Sequence, residues 1–171
     1  MIITDENLLR AECSEVSPEE IAPLRDLLEK ELQDSARLGR IGVGLAAPQI
    51  GIFKKMAIVR LPASMGNFNI DLVNIKEYKG YDKVLFNNEG CLSFPNYYVD
   101  SLRYQEIYVT NNGVEPFSFI ATGMAAICCQ HEIDHLRGIL LTDIGIPTDA
   151  AKKAILKARQ PRGCLAPNIK V

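Results

Sequence analysis

The only two histidines of this chain lie four residues apart, in the segment QHEIDHL at residues 130–136. Four residues are about one helical turn, so a helix here would present both imidazoles on one face. The segment matches HExxH, a helix-borne pattern in which the histidines bind a metal ion and the glutamate transfers protons. We therefore expect His131, Glu132 and His135 to form part of a catalytic metal site.

Length and composition indicate one globular domain. The chain has 171 residues, 47% of them hydrophobic and 23% charged, and we expect a single domain over residues 1–171. No segment approaches the roughly 20 apolar residues that span a bilayer. The net charge of −2 and the lack of a long basic run give no reason to expect nucleic acid binding.

Cysteine usage and the N-terminal sequence predict a cytoplasmic protein. The five cysteines include no CxxC pair. An odd number of cysteines with no secretory context favours free thiols in a reducing compartment. The first residues, MIITDENLLRAECSE, lack the basic and apolar regions of a signal peptide and the Arg/Ser-rich pattern of a transit peptide.

The first predicted element is a helix over residues 18–38. Ser17 can cap it, Glu20 completes a capping box, and apolar residues recur at helical spacing. Short segments rich in branched or aromatic residues then predict strands, with a hairpin turn at Asn112-Gly113. The predicted strands are residues 56–60, 71–75, 83–86, 97–103, 106–110 and 117–120.

Helical patterns return after the strands. A helix over residues 123–137, capped by Thr122, would carry both histidines. A last helix is predicted at about residues 149–159, before an irregular tail at 163–171. The order of helix, strands and helix predicts an α+β fold, in which a largely antiparallel sheet packs around the central metal-binding helix.

The metal site needs a third ligand. A catalytic site usually has three protein ligands and one open position, and the only acidic residues after His135 are Asp143 and Asp149. The segment EGCLS at residues 89–93 offers a better candidate, because Cys91 follows a strand pattern and a glycine that permits a tight turn. A thiolate with two imidazoles would suit iron or zinc.

Three motifs together resemble the peptide deformylase family. They are GxGLAAxQ at residues 42–49 (GVGLAAPQ), EGCLS at 89–93 and QHExDH at 130–135, in the order found in the family. The resemblance implies hydrolytic removal of the N-formyl group from the initiator methionine of new polypeptides. It also implies Cys91, His131 and His135 as ligands of one divalent ion, often Fe²⁺ in the cell and replaceable by Zn²⁺, Ni²⁺ or Co²⁺.

The resemblance also assigns catalytic roles. The ion would lower the pKa of its bound water, and Glu132 would take the proton and pass it to the leaving amine. The side chain of Gln49 and the backbone N–H of Leu92 correspond to the family's oxyanion donors.

Substrate binding can be predicted in part. Leu45, Met124, Ile127 and Cys128 match family positions near the methionine pocket, and the segment at Gly44 can pair with an extended peptide. The expected partners are N-formyl-methionyl nascent peptides, with the ribosome as a further candidate. No membrane partner and no specific nucleic acid recognition are expected.

The chain departs from the family pattern at Tyr98, where the family often has an arginine. Arg103 does match a family arginine, and we expect it to pair with Asp134 or Glu89. The sequence argues against two other functions. A peptidase that cuts internal bonds would need a third His or Glu ligand after HExxH, and the sequence has no convincing one. A metal-free binding relative would lack a ligand or Glu132, and all are present.

Overall fold

The structure, a computed structural model, describes residues 1–146. The helix predicted at 149–159 and the tail at 163–171 lie outside these residues. In chain order the helices and strands are α1 (Glu6–Leu9), α2 (Pro18–Arg37), β1 (Gly44–Ala46), β2 (Met56–Arg60), β3 (Asn69–Val73), β4 (Glu77–Cys91), β5 (Phe94–Asn112), β6 (Pro116–Thr122), α3 (Gly123–Leu136) and α4 (Leu141–Ile144), with 3₁₀ turns at Ala47–Ile50 and Ala63–Met65.

Helix α2 begins and ends close to its predicted bounds. The Ser17 backbone N–H donates to the Glu20 carboxylate at 2.8 Å, which is half of the expected capping box. Gly39, with φ +78°, adopts the left-handed conformation that ends a helix. The buried face of α2 carries the predicted apolar residues Ile21, Leu24, Leu28 and Leu32.

The first sheet, in the order β1-β2-β3, is antiparallel and is buried on both faces of its central strand. Met56 and Ile58 of β2 belong to the core cluster that contains the apolar residues of α2. The alternate residues, Ala57 and Val59, belong to the cluster that contains α3. This alternation follows from the two-residue period of a strand, and it places the sheet between the two long helices.

The second sheet, β4-β5-β6, is also antiparallel, but its strands are longer than predicted. Three predicted short strands, 83–86, 97–103 and 106–110, are parts of the 15-residue β4 and the 19-residue β5. Gly80 does not interrupt β4, because the Tyr104 ring covers it from β5 and would overlap a Cβ at residue 80. The predicted hairpin turn after Asn112 is confirmed, since Asn112 pairs with Pro116 of β6.

Helix α3 packs between the two sheets. The side-chain amide of Gln130 accepts from the Tyr104 N–H and donates to the Tyr104 carbonyl, both at 2.8 Å, and so fixes α3 to β5. Thr122 occupies the N-cap position as predicted, but its side chain makes no capping hydrogen bond. Gly138, with φ +69°, follows the end of the helix.

The predicted fold class is therefore confirmed, with one difference: the antiparallel strands form two three-stranded sheets rather than one. The order of helix, strands and helix predicted an antiparallel sheet but not its division into two. None of the helices within residues 1–146 is long and apolar enough to cross a membrane.

Candidate metal centre

Cys91, His131 and His135 meet where the end of β4 approaches α3. Their candidate ligand atoms all lie within 4.8 Å of one another. The Cys91 Sγ is 3.2 Å from the Nε2 of His135. The two imidazole rings have centroids 5.0 Å apart and are nearly perpendicular. The structure thus brings together the three predicted ligands, in an arrangement typical of a metal site.

A bulge in β4 directs the side chains of the metal-site residues on that strand toward α3. The β4–β5 register shifts between Phe86 and Glu89, and Asn88 has a φ of +56°. Such a bulge redirects the side chains that follow it. Glu89 and Cys91, two residues apart, then point toward α3, and the two-residue turn after Cys91 leads into β5.

Glu89 orients one of the candidate ligands. Its carboxylate lies 2.7 Å from the Nδ1 of His131, and it accepts from the Ser101 hydroxyl and from the Arg103 guanidinium. Burial opposes ionisation of Glu89, but the bonds from Arg103 and His131 outweigh it and hold the pKa well below its ordinary value. An ionised Glu89 holds the Nδ1 proton of His131, which leaves Nε2 free to bind a metal.

Arg103 pairs with both of its predicted alternative partners. Its Nη2 lies 2.5 Å from a Glu89 oxygen, and its Nη1 lies 2.5 Å from an Asp134 oxygen. The residue is 5% exposed. A buried guanidinium with two carboxylate partners connects β4 to α3 behind the metal-site histidines. Sequence reasoning missed Ser101, which has no motif or spacing signal.

Gln49 is held with its NH₂ group toward the site. Its Oε1 accepts from the Ala46 N–H at 2.9 Å, and its Nε2 lies 3.2 Å from the Ser93 Oγ and 3.4 Å from the Cys91 Sγ. The acceptor bond to the backbone therefore decides which end of the amide faces Cys91. Ser93 received no role from the sequence, although its place in the EGCLS motif could have marked it.

Glu132 and His135 are buried groups with unused polar atoms. Within the described residues, the Glu132 Oε2 and the His135 Nδ1 have no hydrogen-bond partner. Burial raises the pKa of Glu132 to about 7, against the opposing charge of His131. Burial, with the His131 charge, lowers the pKa of His135, which favours the neutral ring that a metal ligand requires. One thiol and two imidazoles fit a divalent iron or zinc ion.

A cavity of about 480 Å³ opens beside the three candidate ligands. Most of the predicted catalytic and substrate-binding residues line it: Gly44, Gln49, Leu92, Met124, Ile127, Cys128 and Glu132. Leu45, which was predicted to lie beside the methionine pocket, does not line the cavity. Because residues alternate along β1, Gly44 faces the cavity while the Leu45 side chain is fully buried in the core cluster with α2.

Comparison with known proteins identifies the family. The model of the polypeptide deformylase family matches residues 1–150. Peptide deformylase 1 of Bacillus subtilis (strain 168) is 43% identical over 138 residues, which cover 77% of this chain and 83% of that protein. The crystal structure of a probable peptide deformylase from Synechococcus phage S-SSM7 matches with a TM-score of 0.72 and 36% identity, over 84% of this chain and 98% of the other. For peptide deformylase from Thermotoga maritima the TM-score is 0.71 and the identity 30%, over 86% and 97% of the two chains. The chain therefore belongs to the polypeptide deformylase family, and it is a metal-dependent hydrolase with peptide deformylase activity.

Proposed function

We propose that Cys91, His131 and His135 bind one divalent ion, and that deformylation of N-formyl-methionyl peptides, with release of formate, takes place beside it. The observation that carries this proposal is the convergence of one sulfur and two ring nitrogens at a cavity lined by a buried carboxylate. The ion would supply an activated water as the nucleophile. The soft thiolate donor supports Fe²⁺ in the cell, with Zn²⁺, Ni²⁺ or Co²⁺ as substitutes.

Glu132 is the proposed general base and acid. Its carboxylate is 4% exposed and lies one residue after His131, at the cavity wall formed by Gly44. From there it can take a proton from the attacking water and deliver it to the amine that leaves the formyl carbon. Exclusion of bulk water strengthens its interaction with the charges that develop during the reaction.

Gln49 and Leu92 are the proposed donors to the developing oxyanion. The NH₂ group of Gln49 is held toward Cys91, and Leu92 lies in the turn between β4 and β5, outside their ladder. Two donors beside the cysteine could stabilise the negative charge on the formyl oxygen when the water attacks.

The substrate is proposed to bind along β1. Within residues 1–146 this strand pairs with β2 alone, so its other edge can form backbone hydrogen bonds with an extended peptide. Met124, Ile127 and Cys128 of α3 line the cavity and supply an apolar wall for the methionine side chain. Backbone pairing tolerates different sequences, which suits an enzyme that processes many nascent chains.

We further propose that the chain acts in the cytoplasm as one catalytic domain over residues 1–171, on nascent peptides, with the ribosome as a candidate partner. Among the described residues, Cys13, Cys91, Cys128 and Cys129 form no disulfide bond, which supports a reducing compartment. The peptidase alternative needs a third His or Glu ligand after the histidines. The third candidate ligand is instead Cys91, which precedes them in the chain, and this counts against the peptidase.

The test is formate release from formyl-Met-Ala-Ser by protein loaded anaerobically with Fe²⁺ or with Ni²⁺. We expect turnover by the wild type and a loss of at least about 100-fold in kcat for Glu132→Ala at equal metal content. Equal activity of the two proteins would remove Glu132 from the mechanism. Release of amino acids from unformylated peptides would favour the peptidase instead.

A further inference from the structure

Exposed apolar side chains surround the mouth of the cavity. Ile41, Met65 and Tyr98 line it, yet they are 84%, 47% and 63% exposed. They come from three separate segments: the loop before β1, the 3₁₀ turn Ala63–Met65 and strand β5. Single exposed apolar residues are common on proteins, whereas several gathered on one cavity indicate a binding surface. We refer to these three residues as the apolar rim.

Tyr98 of the apolar rim packs against β4 next to Cys91. It pairs in register with Gly90 of β4. Its ring covers this glycine, since a Cβ at residue 90 would lie only 2.8 Å from the Tyr98 Cε1. The ring therefore rests on the backbone of the residue before Cys91. An aromatic side chain already held in place loses little conformational entropy when it binds a partner.

The charges at the cavity do not favour basic peptides. Among the lining residues, all within the described part of the chain, Arg40 is the only lysine or arginine. The two carboxylates in the lining are each 4% exposed: Glu89 bonds to His131, and Glu132 lies against Gly44. The apolar rim thus has no exposed carboxylate beside it that could bind a lysine or arginine of the substrate.

We propose that the apolar rim binds the side chains that directly follow formyl-methionine, and that this enzyme prefers nascent peptides whose second and third residues are apolar. Tyr98 is the main specificity-determining residue. This proposal rests on the proposed function, because it extends the same cleft outward from the metal centre. Apolar side chains gain free energy when they leave water for a half-open apolar surface, whereas serine or lysine at these positions gains little.

The test compares two peptides within each protein variant, formyl-Met-Leu-Phe-amide and formyl-Met-Ser-Ser-amide. For the wild type we expect kcat/KM to be about tenfold higher for the Leu-Phe peptide, mainly through KM, as suits one partly covered apolar side chain. Tyr98→Arg and Tyr98→Ala should reduce this ratio to below about threefold. Tyr98→Phe, which keeps the ring, should preserve it.

Tyr97→Arg is the matched control. Tyr97 is the adjacent tyrosine of β5 and is 41% exposed, but it does not line the cavity. We expect the wild-type ratio in this variant. A wild-type ratio near one, or a ratio that survives Tyr98→Arg and Tyr98→Ala, would overturn the inference while leaving deformylation intact. Failure of the wild type to release formate from either peptide would instead reject the proposed function.

Discussion

Gly44 lies against Glu132 so closely that a Cβ at residue 44 would overlap the Glu132 carboxylate. The glycine belongs to β1, and the glutamate belongs to α3. The first motif therefore does more than form the proposed edge strand for substrate. Its missing side chain leaves the space that the proposed catalytic carboxylate occupies.

Gly44→Ala should lower kcat for deformylation by about 100-fold, because even a displacement of about 1 Å of a reacting group has an effect of this size. Metal content should stay near that of the wild type, since residue 44 is not a candidate ligand. Gly113→Ala is the control, because its Cβ would meet only the Val73 Cβ, at 4.0 Å. Full activity in Gly44→Ala would show that Glu132 has room to move without consequence.

Gln49→Leu should lower kcat by about 10² to 10³-fold with little change in metal content, which is the usual cost of removing one oxyanion donor. Ser93→Ala should have a smaller effect, because the Ala46 N–H still holds the Gln49 amide in place. Steady-state kinetics with formyl-Met-Ala-Ser and metal analysis of the same samples check both expectations. A loss of metal in Gln49→Leu would point to a structural role in place of a catalytic one.

Arg103→Met should destabilise the protein by about 3–5 kcal/mol, because it leaves the buried Glu89 and the half-buried Asp134 without their cation. Arg37→Met is the matched control. Arg37 also pairs with a carboxylate, that of Asp34, but its side chain is 75% exposed, so water screens the pair and the loss of stability should be much smaller. Urea unfolding of the metal-free proteins measures both changes, and similar losses in the two variants would contradict the account.

Glu89 should make the metal-free protein sensitive to acid. Its pKa is lower in the folded state than in the unfolded chain, so its contribution to stability is complete above the unfolded pKa of about 4.3. That contribution is lost as the pH falls from there through the folded pKa. The free energy of unfolding should therefore fall more steeply below about pH 4.3 in the wild type than in Glu89→Gln. Parallel pH profiles would mean that folding does not lower the pKa of Glu89.

Local patterns predicted the parts of the site that depend on local geometry. The spacing of His131 and His135 implies one helix face, and the structure has the two rings side by side on α3, next to Cys91. The lengths of β4 and β5 could not be predicted this way, because Gly80 is kept in its strand by Tyr104, which is 24 residues away in sequence. Cover of this kind depends on strand register, which the local sequence does not specify.

The same limit applies to side chains whose role depends on a neighbouring strand. Leu45 matched a family position near the pocket, yet the alternation along β1 directs its side chain into the core. Ser101 bonds to Glu89 across β4 and β5, and nothing in its sequence surroundings indicates a role. The two alternatives for Arg103 were both correct, because one guanidinium has enough donors for two carboxylates.

Two thiols at the same cavity allow a direct test of the ligand set. Cys91 and Cys128 both line the cavity, but only Cys91 lies with the two histidines in the ligand cluster. Burial raises the pKa of the Cys128 thiol to about 12, so it stays protonated near neutral pH, whereas a metal ligand must be a thiolate.

After loading with Ni²⁺ and dialysis, Cys91→Ser should retain less than about a tenth of the wild-type metal, because a serine hydroxyl is a far poorer ligand for this ion than a thiolate. Cys128→Ser should retain a full equivalent, as measured by atomic emission on the dialysed protein. Equal retention in both variants would remove the sulfur of Cys91 from the ligand set, and equal loss would show that both substitutions disturb the fold around α3.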